Sequence, residues 1–161
     1  MFLLRLIHIL SAIFWMGSTL FIGLILEPAL ATLGPEGGKV MPKLAGGALS
    51  RAMSATGLLT ILSGLAMYFS HSGGFDPAVM FSSRLPLTLG ALAGFAALLV
   101  GLLMQGPASK ELGALGRQIA VQGGPPTPQQ AARIAALRNT LRRGGRLEAA
   151  LMLLAVLGMV A

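Results

Sequence analysis

The sequence predicts an all-α integral membrane protein, a four-helix bundle whose third and fourth helices extend into a cytoplasmic helical hairpin. Its 161 residues are 55% hydrophobic and only 11% charged, with a mean hydropathy of +0.79, more apolar surface than a soluble domain of this size hides from water. Apolar stretches recur at about residues 2–26, 48–70, 85–104 and 145–161, the first three near the ~20 residues that a ~30 Å hydrocarbon core requires. The fourth is short, so its helix must begin upstream or meet a thin rim. Polar, glycine-rich and proline-rich segments separate these stretches, and with no convincing internal repeat the chain reads as a single domain, 1–161.

The first stretch is too long for the apolar region of a secretory signal, has no basic segment before it and shows no small-residue cleavage site before Glu27, so it reads as a retained helix. It is predicted to end at Glu27-Pro28, and ATLGPEGGKVMPKLAGG then reads as an irregular connection. In helix 2, Ser54, Gly57, Gly64, Tyr68 and His71 recur at spacings that share one face, which predicts His71 on the closely packed side. Helix 3 carries Gly90 and Gly94 as GxxxG, continued by Ala97 and Gly101. Such a face serves ordinary intramembrane packing or a dimer contact. SKELGALGRQIAVQ is amphipathic, GGPP breaks it, and Thr127-Pro128-Gln129-Gln130 supplies an N-cap, a proline at N1 and a glutamine at N3. The hairpin is thus placed at about 107–144, with Gly144-Gly145 a candidate bend before the last apolar run.

The net charge of +7 follows from topology. Lys39, Lys43, Arg51, Lys110, Arg117, Arg133, Arg138, Arg142, Arg143 and Arg146 fall in the loops after helices 1 and 3 and at the helix ends beside them, leaving Arg5 and Arg84 for the other side. The positive-inside rule then puts both termini outside a bacterial inner membrane and the basic segments in the cytoplasm, facing anionic headgroups rather than nucleic acid. There is no cysteine, hence no thiolate metal site or disulfide. A phosphate-cradling glycine loop, an HExxH pair and a nucleophile elbow are all missing, which argues against hydrolase and kinase chemistry.

Ionisable side chains in a membrane are functional candidates by default. Arg5, His8, Ser11, Trp15 and Ser18 or Thr19 share one stripe of helix 1. His8 is either an interior hydrogen-bonding imidazole or a ligand to haem iron or copper, with Arg5 and Arg84 available to haem propionates. His71 and Met67 stand toward the same side as His8 and would complete a copper site, although His71 is expected nearer the surface. Toward the cytoplasm, Glu27, Arg51, Arg146 and Glu148 are expected to meet as structural ion pairs, or to leave Glu148 on a proton or ion pathway.

LIHILSAIFWMGSTLF, ALSRAMSATGLLTILSGLAMY and LRRGGRLEAALMLLAVLG resemble the first, second and last helices of the CopD-like, HemJ-like superfamily of small bacterial membrane proteins. The resemblance implies a four-helix membrane bundle. From the HemJ branch it implies haem b with His8 as an axial ligand, and a redox, gas-binding or porphyrin-oxidising role, making a haem-dependent oxidoreductase one expectation. From the CopD branch it implies copper uptake or resistance. A non-catalytic membrane assembly protein with a structural His8 is the third expectation, and small-residue helix faces suit a homo-oligomer.

Overall fold

The computed structural model describes residues 1–33, 37, 40, 42–44, 47–82 and 84–161. Among these the regular structure is entirely helical. Three helices are long and apolar enough to cross a membrane: α1 (Phe2–Thr32), α2 (Ala48–His71) and α4 (Leu85–Gln122). A short helix, α3 (Pro77–Met80), lies between α2 and α4, and α5 (Pro128–Val160) closes the chain. The connection predicted after helix 1, with Lys39, falls largely outside the described residues.

One predicted helix end is corrected. Helix 1 does not stop at Glu27-Pro28; α1 runs through the proline to Thr32 by way of a π-helical turn at Ile22–Leu26. Helix 3, expected to extend beyond its apolar stretch, continues past residue 104 through a second π-turn, Gly101–Gln105, into the segment Gly106–Gln122. Each π-turn begins six residues before a proline, Pro28 or Pro107. The proline lacks an N–H and its ring crowds the carbonyl four residues back, and a locally wider turn relieves that clash without ending the helix. The glycine pair at 144–145 does not interrupt α5 either.

Small residues set how closely the helices approach. α1 and α2 run antiparallel with His8 opposite Gly64, Ser11 opposite Thr60 and Trp15 opposite Gly57. A Cβ built at Gly64 would lie 2.8 Å from His8 Cε1, and one at Gly57 would lie 3.1 Å from Trp15 Cε2. Gly90 faces Ala155 and Gly158 of α5, and Gly94 faces Ala155. The GxxxG of helix 3 is therefore occupied within the chain, which leaves it unavailable as a dimer face. Close backbone approach is the substitute for a hydrophobic drive between helices in lipid.

Trp15, Ala97, Leu98 and Met152 form the central apolar cluster, and Ala108, Leu112 and Leu137 form another between the far halves of α4 and α5. There Arg133 donates to both Glu111 carboxylate oxygens, at 2.5 and 2.7 Å. This half-exposed pair lies beyond the apolar stretch 85–104, and the Arg133 hydrogen bonds hold the Glu111 carboxyl below its ordinary range. Its contribution is present above the unfolded carboxyl's range and is lost as acid titrates the lowered folded value. Thr127 and Gln130 cap α5 reciprocally, with the Thr127 N–H donating to Gln130 Oε1 at 2.9 Å and the Gln130 N–H to Thr127 Oγ1 at 3.2 Å, as the TPQQ motif predicts. At the other end of the molecule Asp76 caps α3, and Thr88 Oγ1 lies 2.6 Å from the Tyr68 hydroxyl and 2.9 Å from the Met80 carbonyl.

Candidate functional site

Glu148 is the most deeply buried ionisable side chain described, 1% exposed. Its helix α5 turns it toward α1 and α4, where Trp15 Nε1 donates to Oε1 at 2.8 Å and the Gln105 amide donates to Oε2. Both donors are there for local reasons. Trp15 lies on the buried Ser11, Trp15, Thr19 stripe of α1, held against Gly57. Gln105 ends the π-turn of α4, and the wider turn aims its amide at α5. Gly101, at the start of the same turn, leaves room for the carboxylate, since a Cβ there would lie 3.4 Å from Glu148 Oε1.

The carboxylate borders a cavity of about 270 Å³ to which α1, α2, α4 and α5 all contribute. Both π-turns line it: Ile22, Gly23, Leu24 and Leu26 from one, Gly101, Leu102 and Gln105 from the other. π-turns within α-helices concentrate at functional sites, and here two meet at one cavity. Most of the walls are apolar; Glu27, Arg142 and Arg146 are its charged lining besides Glu148, while α2 and α4 add Ser50, Ser54, Gln105 and Ser109. A mostly apolar concavity with a few convergent polar groups is the usual form of a small-molecule site. This one falls just below the ~300–1,000 Å³ of sites for drug-sized ligands.

The ion-pair network predicted for Glu27, Arg51, Arg146 and Glu148 does not form among the described residues. The salt bridge seen there is Arg133–Glu111, whereas Glu148 is held by two neutral donors. Three of the four predicted residues line the cavity; Arg51 does not. Sequence spacing shows which helix end carries each charge but not the azimuth at which it faces its neighbours. Gln105, Gly101 and the cavity were missed because a lone glutamine before Gly-Pro looks like a helix end. The signal was Pro28 and Pro107, each inside a stretch otherwise suited to helix.

His8 is half-buried, with Nδ1 2.8 Å from the Thr60 carbonyl and 3.4 Å from Ser63 Oγ. A carbonyl only accepts, so Nδ1 carries the proton and donates, and in the neutral ring the lone pair sits on Nε2. Ser11 donates to the Ile7 carbonyl at 2.6 Å. His8 does not meet His71. Opposite Gly64, it sits seven residues, roughly 10 Å along the axis, from that histidine. His71 is exposed, not on the packed face, and its Nδ1 donates to the Met67 carbonyl at 2.8 Å. Among the described residues no three His, Cys, Asp or Glu side chains gather as a metal-binding group. Arg5 and Arg84 are exposed, with Arg84 at the N-cap of α4.

Compared with protein-family profiles, curated proteins and solved structures, the chain finds no match.

Proposed function

We propose that the protein is a membrane-embedded four-helix bundle whose working group is Glu148, the acceptor for a proton or a cation that enters the cavity from the basic, cytoplasmic end. One observation carries the reading: Glu148 is buried among helices at the cavity wall, with hydrogen bonds to Trp15 and Gln105 and no salt-bridge partner among the described residues. A charge taken out of water without a partner is expensive, so a proton or a cation completes the site. Trp15 and Gln105 fix the two oxygens, each of which keeps a lone pair for the incoming group. The fourth helix then crosses with the other three, its exposed Leu153, Leu154, Val156 and Leu157 meeting lipid, and the 107–144 hairpin lies in the cytoplasm. The positive-inside asymmetry supports that orientation.

Trp15 is the sole tryptophan, so the site carries its own reporter. In lipid nanodiscs its emission is expected to change along a pH titration or on addition of NaCl or KCl, and Glu148→Gln to abolish the change with helical content kept. A wild-type emission that is flat to pH and to both salts would overturn the reading.

A second reading has its own observation, the unused Nε2 of His8, which is the atom an axial ligand to haem or copper needs. Of the residues grouped with it, Ser11 is engaged at the Ile7 carbonyl and Trp15 at Glu148, while His71 lies about two turns along α2 from the Gly64 that faces His8 and Met67 a little under one. Within one chain His8 is the half-buried residue of this set that offers a ring nitrogen with no hydrogen bond among the described residues. A homo-oligomer with His8 at the contact is the arrangement in which the CopD-like, HemJ-like resemblance would hold. Protein purified after haem supply should then show a reducible Soret band that His8→Ala removes; colourless wild-type protein would rule out the haem reading, and metal analysis would decide for copper.

A further inference from the structure

The cavity has a directional charge pattern that goes beyond holding a proton. Its buried end is a carboxylate with an indole beside it, its walls are leucines from both π-turns, and Arg142 and Arg146 belong to the exposed part of its lining. Leu24 and Leu102, one from each π-turn, stand in that apolar lining.

We infer that the cavity binds a primary amine on an apolar chain, the ammonium group on Glu148 and the chain along Leu24 and Leu102. This rests on the reading of Glu148 as an acceptor and names its ligand class. Chemistry selects the ligand at each level. An ammonium supplies the counter-charge missing from the Glu148 environment and brings three N–H donors to the carboxylate's free lone pairs. An inorganic cation would leave the leucine walls uncovered. A fatty acid would find Arg142 and Arg146 but would set its tail against a carboxylate. A carboxylate at the far end of an amine would instead meet those arginines, so ω-amino acids are expected to bind at least as well as amines of equal length. The titratable and charged groups facing the site are Glu27 from α1 and Arg142 and Arg146 from α5; none comes from the described lining of α2 or α4.

The test is a series of n-alkylamines from butyl to octyl, the matching carboxylates and alcohols, and ω-amino acids, titrated against the full chain in nanodiscs with Trp15 emission and thermal unfolding as readouts. Amine affinity is expected to rise about fourfold per methylene, the value of burying one CH₂ group, until the chain outgrows the cavity. Carboxylates and alcohols should bind at least tenfold more weakly, and Glu148→Gln should remove the amine preference. Equal binding of amines and alcohols, or amine binding unchanged in Glu148→Gln, would overturn the inference as simple partition into an apolar space. A proton response at Trp15 without any amine effect would overturn the inference and leave the acceptor reading standing; the absence of both would overturn both.

Discussion

Glu148→Ala is expected to be the most damaging single truncation in the central part of the molecule, by about 3 kcal/mol. The Trp15 N–H and the Gln105 amide, which now meet the carboxylate, would each lose a buried acceptor, at about 1–3 kcal/mol per orphaned group. The space vacated beside the central Trp15, Ala97, Leu98 and Met152 cluster adds a cavity penalty, while water from the existing cavity partly satisfies the freed donors. Glu148→Gln, which keeps the size and one acceptor, should cost less than half as much. Thermal unfolding in one fixed detergent, with Trp15 emission as the probe, measures the difference. If both variants unfold with the wild type, the buried carboxylate is not fixing Trp15 or Gln105, and the site as described is wrong.

That contrast bears on how much of the site could be read from sequence. The stripe of Ser11, Trp15 and Thr19 is visible because helical period alone places those residues on one face, and the three are buried in the structure. Glu148 was visible as an isolated carboxylate in an apolar run. Its partners were not: the expectation of salt bridges to Arg51 and Arg146 came from charge and helix ends, whereas the actual donors are an indole three turns into α1 and an amide in a π-turn. A single chain offers no azimuth for a helix whose pattern is apolar nearly all round, and proline is read as a terminator unless the helix on both sides is already known to continue.

The GxxxG of helix 3 was equally legible as a packing face and silent about its partner. The structure supplies the partner in Ala155 and Gly158, from a run, AVLGMV, whose glycine carried no sequence signal of its own. His8 gave the opposite lesson. Its depth relative to His71 followed from counting residues along antiparallel helices, but the hydrogen bond that fixes its ring comes from a backbone carbonyl, and every residue type carries one.

Gly158→Leu is expected to separate α5 from the start of α4 and to cost about 3 kcal/mol, the upper part of the usual range for overpacking. A Cβ at Gly158 would collide with the Pro86 carbonyl oxygen and approach Gly90 Cα to 2.7 Å and Gly90 N to 2.8 Å. All three are backbone atoms, so no rotamer change relieves the clash, and only movement of a whole helix makes room. The penalty far exceeds the gain of up to about 1 kcal/mol in helix propensity on replacing glycine. Gly17→Ala isolates that gain, because nothing lies within 4 Å of a Cβ built there: the same kind of substitution should be neutral or slightly stabilising on α1 and strongly destabilising on α5. Because α5 also carries Glu148, displacing it should pull the carboxylate from Trp15 and shift the indole emission before global unfolding, a coupling that Gly17→Ala should not show. Gly158→Leu with wild-type stability and emission would mean that α4 and α5 do not meet backbone to backbone, and with that contact would go the frame that holds Glu148 in place.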